Sequence, residues 1–280
     1  MGVRQSKTLL SSRDRLPMRF ETLSLAENTP AKTELAGAIQ AALERSVVVH
    51  VINAAVSSEP LPFWEEVIRG IGQFASVGED PSGREAEQKS IWMDVRFDPR
   101  HHQSFRHFNS AQPLHTDGAY EEEYPGTAFF FCAQQAPSGG ATLFLDVADL
   151  VSVLRKEQPS LYRELTTIPV HFSKLGGAGK TCCILDEDGT GPRVNWNYYR
   201  VTPGQGPQID RLREQFHAFL QTRFVDQNDL LPLRLETGDA AFFQDTRVLH
   251  GRHAYEAQAA GDRLIWKCYF SPPPRTAATK

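Results

Sequence analysis

The chain is short of several things that would narrow its function at once. Its four cysteines (Cys132, Cys182, Cys183, Cys268) include one adjacent pair and no Cys-x-x-Cys. That pattern suits reduced thiols better than a disulfide framework, and with it a cytoplasmic location. No run of 18 or more apolar residues offers a membrane span. The first twenty residues carry charge but no apolar signal core, so a secretory leader is not expected. Lysine plus arginine (30) fall just below aspartate plus glutamate (34), which removes the basic excess expected of a nucleic-acid binder. There is no internal repeat and no evident linker.

What remains is an ordinary soluble composition, 40% hydrophobic and 23% charged over 280 residues, enough to bury a substantial core. Apolar spacing predicts helices over Ala31 to Arg45, Pro60 to Phe74 and Asp210 to Phe224. A further helix follows Asp146, which can cap it, and is bent or split at Pro159. Strand-like runs are more numerous: 46–52, 114–117, 127–132, 141–145, 168–172, 182–185, 230–235, 240–243, 247–250 and 263–270. Gly78 to Glu87 reads as a charged loop. Many strands without regular βαβ alternation favour an antiparallel sandwich or barrel. The expected layout is a flexible segment over 1–30, a single domain over 31–272 and a tail over 273–280.

Gly176-Gly177-Ala178-Gly179-Lys180-Thr181 ends like a phosphate-binding loop, but it fails the pattern. Its first glycine would have to be residue 174, which is Lys174, and the following Cys182-Cys183-Ile184-Leu185 is strand-like, not helical. A mobile loop is the better reading.

Leu114-His115-Thr116-Asp117-Gly118 carries more chemistry. At roughly 100° per residue a helix would send His115 and Asp117 to nearly opposite sides. On a strand they share one face and can grip a metal ion from two directions. Alone, the pair reads more often as a hydrogen-bonded His–Asp contact. His250, after a Gly-Asp turn and an apolar strand, can complete a set of two histidines and one carboxylate. That set leaves three coordination positions open, as iron(II) needs for a bidentate cosubstrate and then dioxygen; a structural zinc site would close all four. The alternative for His250 is a hydrogen-bonded barrel histidine. Arg263, thirteen residues on, can hold a carboxylate with both arms of its guanidinium, and the Thr142 hydroxyl can donate to the same group. Taken singly, Arg263 reads as a surface ion pair and Thr142 as an ordinary strand residue.

Together these segments resemble one family. Leu114-His115-Thr116-Asp117-Gly118, Gly139-Gly140-Ala141-Thr142-Leu143, Gly238-Asp239, Val248-Leu249-His250-Gly251-Arg252 and Arg263-Leu264 stand in the order and spacing of iron(II)/2-oxoglutarate dioxygenases of the taurine dioxygenase and γ-butyrobetaine hydroxylase type. The resemblance spans roughly residues 33–271. It implies a mainly β chain with flanking helices, a distorted double-stranded β-helix (jelly roll). It implies His115, Asp117 and His250 on iron(II), with Thr142 and Arg263 on the distal carboxylate of 2-oxoglutarate and Arg252 either near it or bracing the motif. Gln244-Asp245 departs from the Asp-Asn common in relatives, a difference expected to touch turn chemistry more than ligation.

The activity implied is oxidative decarboxylation of 2-oxoglutarate to succinate and carbon dioxide, coupled to hydroxylation. Desaturation, epimerisation and ring closure stay open. The retained Asp117 speaks against halogenation, since related halogenases lack the carboxylate. From another class, a non-catalytic jelly-roll binding protein is the rival. Strand alternation puts Lys267 on the face of Arg263, where it would meet a substrate anion or else a barrel acid. Trp196, Tyr198 and Tyr120 are candidate substrate contacts, against which stands the reading of core aromatics. A small amino-acid-like or zwitterionic molecule fits these signs. Neither nucleic acid nor membrane is expected as a partner, and a homo-oligomer is compatible with the sequence.

Overall fold

Alternation along one strand sets the architecture. In Thr127–Gln134, Phe129 and Phe131 turn to one side, and Ala128, Phe130 and Cys132 to the other. The computed structural model, which describes residues 18–25, 31–52, 58–79, 85–101, 104–174 and 179–272, places this strand inside a seven-stranded sheet. Ala240–Gln244 and Leu264–Ser271 flank it, both antiparallel. Val48–Ile52 and Phe20–Ser24 extend the sheet on one side, Gln73–Ala75 and Met93–Arg96 on the other. The Phe129 face packs on the helices Lys32–Arg45 and Pro60–Arg69. There Trp64 sits 5.1 Å from Phe129 and 5.8 Å from Phe242, ring centre to ring centre. Each such buried phenylalanine contributes about 1.5–3 kcal/mol, so this face anchors the sheet.

The other face looks onto a four-stranded sheet ordered Leu231–Leu233, Thr142–Asp146, Val248–Arg252, Gln112–His115. Val48, Ala241, Phe243 and Ile265 of the large sheet meet Phe144, Leu233 and Val248 of the small one, and the Phe144 and Phe243 rings lie 5.2 Å apart. The small sheet turns Leu143, Leu145 and Leu249 outward to the helices Val147–Glu157, Pro159–Thr167 and Pro207–Leu220. The result is the expected mainly β chain with flanking helices, a distorted double-stranded β-helix. Period-two alternation then fixes what faces inward. With Leu249 outside, His250 points between the sheets, and with Leu143 outside, so does Thr142.

Asp146 caps its helix as expected, its Oδ1 accepting from the Ala148 amide at 2.9 Å. The break at Pro159 is also seen. Other boundaries differ. The flexible segment expected over 1–30 is corrected at Phe20–Ser24, which pairs in parallel with Val48–Ile52. Arg19 beside it forms a two-armed ion pair with Asp146 (2.8 and 2.9 Å). Two apolar residues among polar ones gave that strand no visible period. The helix expected to reach Phe74 stops at Arg69, since Gly70 and Gly72 end it and let the chain enter Gln73–Ala75. Val77–Glu79 pairs with Glu85–Ser90 where a loop was expected. Gly179–Cys182 is a strand, in line with rejecting the phosphate loop; residues 175–178 lie outside the described residues, as do 1–17, 26–30 and 273–280.

Gly251 is where the small sheet is tightest. A bulge separates His250, opposite His115, from Arg252, opposite Gln112. A Cβ on Gly251 would stand 2.8 Å from the Gln112 carbonyl oxygen. Gly251→Ala should therefore cost about 1–3 kcal/mol and lower Tm by roughly 2–12 °C. Thermal unfolding followed by circular dichroism checks this; an unchanged Tm would mean the two strands can part at no cost.

Candidate active site

The strand Gln112–His115 ends at His115 because the next residue bonds elsewhere. The Thr116 amide donates to the Trp196 carbonyl (2.6 Å), and the Trp196 amide donates back to Thr116 Oγ1 (3.0 Å). Asp117 consequently lies in a turn, which corrects the expectation that strand alternation pairs it with His115. The turn continues through Gly118 at φ +55°, where a Cβ would run into the Tyr124 ring at 2.3 Å. Only glycine combines that backbone with that approach.

The turn delivers the grouping all the same. His115 Nε2 lies 3.7 Å from one Asp117 oxygen and His250 Nε2 3.4 Å from the other. One ligand atom from each of the three residues falls within a 4.8 Å cluster. His115 Nδ1 sits 2.9 Å from the Pro113 carbonyl, a contact in which the ring N–H donates and leaves Nε2 for a metal. Gln112 Nε2 is 3.0 Å from His115 Nε2. Asp245 Oδ1 lies 2.9 Å from His250 Nδ1, and Asp245 Oδ2 accepts from the Asp117 amide at 2.8 Å.

Electrostatics at this cluster are those of a site built around positive charge. Burial would raise the Asp117 carboxyl, but Lys267 and His250 hold it well below the usual carboxylate range. Burial would lower His250, but Asp117 and Asp245 carry it up to about 9. His115 is lowered, by burial and then by the charge on His250. The Lys267 ammonium donates to Asp117 Oδ2 at 2.5 Å.

A second charged corner lies in the same cavity. Arg263 is 3% exposed, and its Nε and Nη1 are buried without a hydrogen-bond partner. Its guanidinium stacks 4.9 Å from the Tyr255 ring centre, and that of Arg252 stacks 5.0 Å from the same ring. Burial and the charge on Arg263 bring Arg252 down to about 10. Arg252 spends two nitrogens on the carbonyls of Phe105, Phe108 and Ser110, so it braces that loop, while its Nε is left over. Among the described residues neither buried guanidinium meets a carboxylate, an arrangement that calls for an anion, and Arg263 has the free fork to take one. Thr142, paired with Arg252 across the sheet, lines the cavity beside them.

The cavity measures about 1220 Å³ and has the triad, Thr142, Arg252 and Arg263 among its walls. That is larger than many single-ligand sites and leaves room for a second molecule. Tyr120 and Tyr198 line it as expected, Tyr198 with its hydroxyl donating to Glu214 (2.8 Å). Trp196 does not line it. It is fully buried against Phe216 (4.8 Å between rings), a core residue whose backbone holds the Thr116–Asp117 turn, and its place as a substrate contact is withdrawn. Lys267 lines the cavity but is paired with Asp117, the barrel-acid alternative.

Sequence reasoning missed Asp245, Tyr255 and Arg200. The departure at Gln244-Asp245 was the one signal for the first. Tyr255 gave none, because its role depends on two arginines far apart in sequence. Arg200 lines the cavity with its guanidinium 5.4 Å from the Tyr120 ring centre, and Lys174 approaches the same ring at 5.8 Å.

The family described as taurine catabolism dioxygenase TauD, TfdA family matches residues 11–269. A γ-butyrobetaine dioxygenase of Pseudomonas sp. (strain AK-1) is 31% identical over 166 residues, covering 56% of this chain and 42% of that protein. The mitochondrial trimethyllysine dioxygenase of Gallus gallus is 27% identical over 172 residues, covering 56% and 40%. The alignments thus take in less than half the length of these curated relatives. Among solved structures, the PvcB protein from Pseudomonas aeruginosa superposes with a TM-score of 0.69 at 17% identity, covering 97% of this chain and 92% of that one. An asparagine oxygenase solved with Fe(II), hydroxyasparagine and succinate gives 0.64 at 14% identity, covering 87% and 80%.

Proposed function

Because the chain belongs to the TauD/TfdA dioxygenase family, we propose that it is an iron(II)- and 2-oxoglutarate-dependent oxygenase. In this reading it hydroxylates an unactivated C–H bond of a small polar, amino-acid-like or zwitterionic molecule. Dioxygen is consumed, and succinate and carbon dioxide are released. His115, Asp117 and His250 hold the iron; Arg263, with Thr142, fixes the far carboxylate of 2-oxoglutarate. The observation that carries this reading is the pair of orphaned buried N–H groups on Arg263, in one cavity with a two-histidine, one-carboxylate cluster. Iron, when bound, supplies the redox chemistry that couples cosubstrate decarboxylation to substrate oxidation. The chain's own residues orient the two organic molecules and exclude competing reactions. Tyr255 lies within cation–π reach of both arginines, and Arg252 holds the 105–110 loop against the cavity.

Anaerobic addition of iron(II) and 2-oxoglutarate is the direct test. A weak visible charge-transfer band is expected; its absence, with zinc found in the purified protein instead, overturns the reading. Product mass then separates hydroxylation, a gain of one oxygen, from desaturation, a loss of two hydrogens.

The substrate class rests on Arg200 and Tyr120. Among the described residues Arg200 has no carboxylate partner, and its guanidinium faces an aromatic ring inside the cavity. A substrate anion there gains a charge-assisted hydrogen bond, worth about 1.5–3 kcal/mol. Arg200→Gln should raise KM for the substrate by roughly ten- to a hundred-fold and leave KM for 2-oxoglutarate unchanged. Parallel rises in both constants would count against a separate substrate contact.

Residues 31–272, together with the strand at Phe20–Ser24, are read as one dioxygenase domain. The four unpaired cysteines support a cytoplasmic location. No helix among the described residues is long and apolar enough to cross a membrane.

A further inference from the structure

The phenylalanine and tyrosine rings in the cavity wall are all engaged by the chain itself. Tyr120 has the Arg200 guanidinium 5.4 Å and the Lys174 ammonium 5.8 Å from its ring centre. Arg213 lies 5.0 Å from the Tyr198 ring, and Lys267 serves both Phe130 (5.4 Å) and Tyr269 (4.9 Å). The remaining two, Phe105 and Tyr199, pack on each other with centres 5.5 Å apart. A ring attracts a cation through the negative charge on its faces. Where an ammonium or guanidinium of the chain already lies against it, a cationic ligand must displace that group or approach a like charge.

Acids offer such a ligand no better place. Among the described residues only Asp117 and Glu121 line the cavity with a carboxylate. Asp117 belongs to the triad and meets Lys267. Glu121 stands at the exposed edge, where an ion pair in water contributes little. Of the cations in the wall, Arg100 and Arg106 are spent on Asp98 and Asp94. Arg200 is half-buried and meets no acid among the described residues. Its backbone is fixed by the short turn Tyr198–Arg200, in which its amide donates to the Asn197 carbonyl (2.9 Å) and the Tyr199 amide to Asn197 Oδ1 (3.1 Å). We propose that the substrate is a net-anionic acid held by Arg200 against the Tyr120 ring, and that the cavity turns away ammonium and quaternary ammonium compounds. This narrows the small polar molecule named above to the acidic members of its class. Calling the occupant a substrate rests on the oxygenase reading; the charge preference of the cavity does not.

The test uses ligands of nearly one shape and different charge: choline, its neutral carbon isostere with a tert-butyl group, and the tert-butylacetate anion. Each is titrated by ligand-observed NMR into the zinc(II)-loaded protein with saturating 2-oxoglutarate, which occupies the Arg263 corner. The anion is expected to bind about tenfold or more tighter than the neutral isostere, and choline no tighter than the isostere. In Arg200→Gln the anion should fall to the level of the isostere. Arg200→Lys, which keeps the charge, should retain most of the preference. The order of the three ligands in wild type is read without any variant. Choline binding as tightly as the anion would overturn the proposal, as would no detectable binding of the anion. So would an anion preference that persists undiminished in Arg200→Gln, since the anion would then sit at another cation. If iron(II) and 2-oxoglutarate give no charge-transfer band, the oxygenase reading fails, while the same titrations on the protein as purified still decide the charge preference.

Discussion

His115→Ala is expected to reduce 2-oxoglutarate-dependent succinate formation at least about a thousandfold, equivalent to about 4 kcal/mol of transition-state stabilisation, and to leave the protein folded. The expectation follows from how few donors surround that position. His115 ends its strand with Nδ1 against the Pro113 carbonyl and Nε2 facing Asp117. Beside it, Gln112 presents an amide nitrogen, which donates and does not ligate. His250 offers a single ring nitrogen, and the two Asp117 oxygens face different histidines, so neither replaces the lost imidazole. The fold should survive because the neighbouring core clusters do not depend on the imidazole, and Asp117 keeps its ion pair with Lys267. Succinate release, iron content and circular dichroism on the same preparation check all three parts. Retention of a tenth of the wild-type rate in a folded variant would remove His115 from the metal site.

Arg263→Ala should raise KM for 2-oxoglutarate by roughly 10²- to 10⁴-fold, since two hydrogen bonds to a charged group contribute about 1.5–3 kcal/mol each. The rate at saturating cosubstrate should fall far less, because in the proposed reading the reacting end of the molecule would lie away from Arg263, at His115, Asp117 and His250. Arg263→Lys should recover only part of the loss: an ammonium restores the charge but not the two-pronged geometry. Steady-state kinetics with varied 2-oxoglutarate measures this. An unchanged KM in Arg263→Ala would move the carboxylate to another residue. Arg252 is a poor substitute, since its guanidinium already serves three carbonyls of the neighbouring loop.

How much of this was legible beforehand differs from residue to residue. Inward placement of His250, Thr142 and Lys267 follows from period two alone, because Leu249, Leu143 and Cys268 are apolar and belong to the outer clusters. The meeting of His115 and Asp117 was expected for a reason that does not hold. Alternation would have joined them, but a turn does, and the turn is made by Thr116 bonding to a backbone 80 residues away. No local pattern encodes a contact of that range. Trp196 shows the converse limit: its spacing suits both a cavity wall and a core, and packing against Phe216 decides for the core. The strand at Phe20–Ser24 was missed because its stability comes from Val48–Ile52 and from the Arg19–Asp146 ion pair, neither of which leaves a trace in five residues. Lys267 was placed on the correct face, but which acid it would meet there depends on the Asp117 turn.

The ammonium of Lys267 bears on the candidate metal centre while it is empty. With Lys267 against Asp117, the buried carboxylate already has a resident cation, so an empty centre need not spring apart or draw in water. A cation held by His115, Asp117 and His250 would compete with that ammonium for the Asp117 carboxylate, while Lys267 stays anchored to the same wall. The displaced ammonium would be left to the Phe130 and Tyr269 rings, whose centres lie 5.4 and 4.9 Å from it. The next molecule to enter would meet an interior more electropositive than the one the ion found.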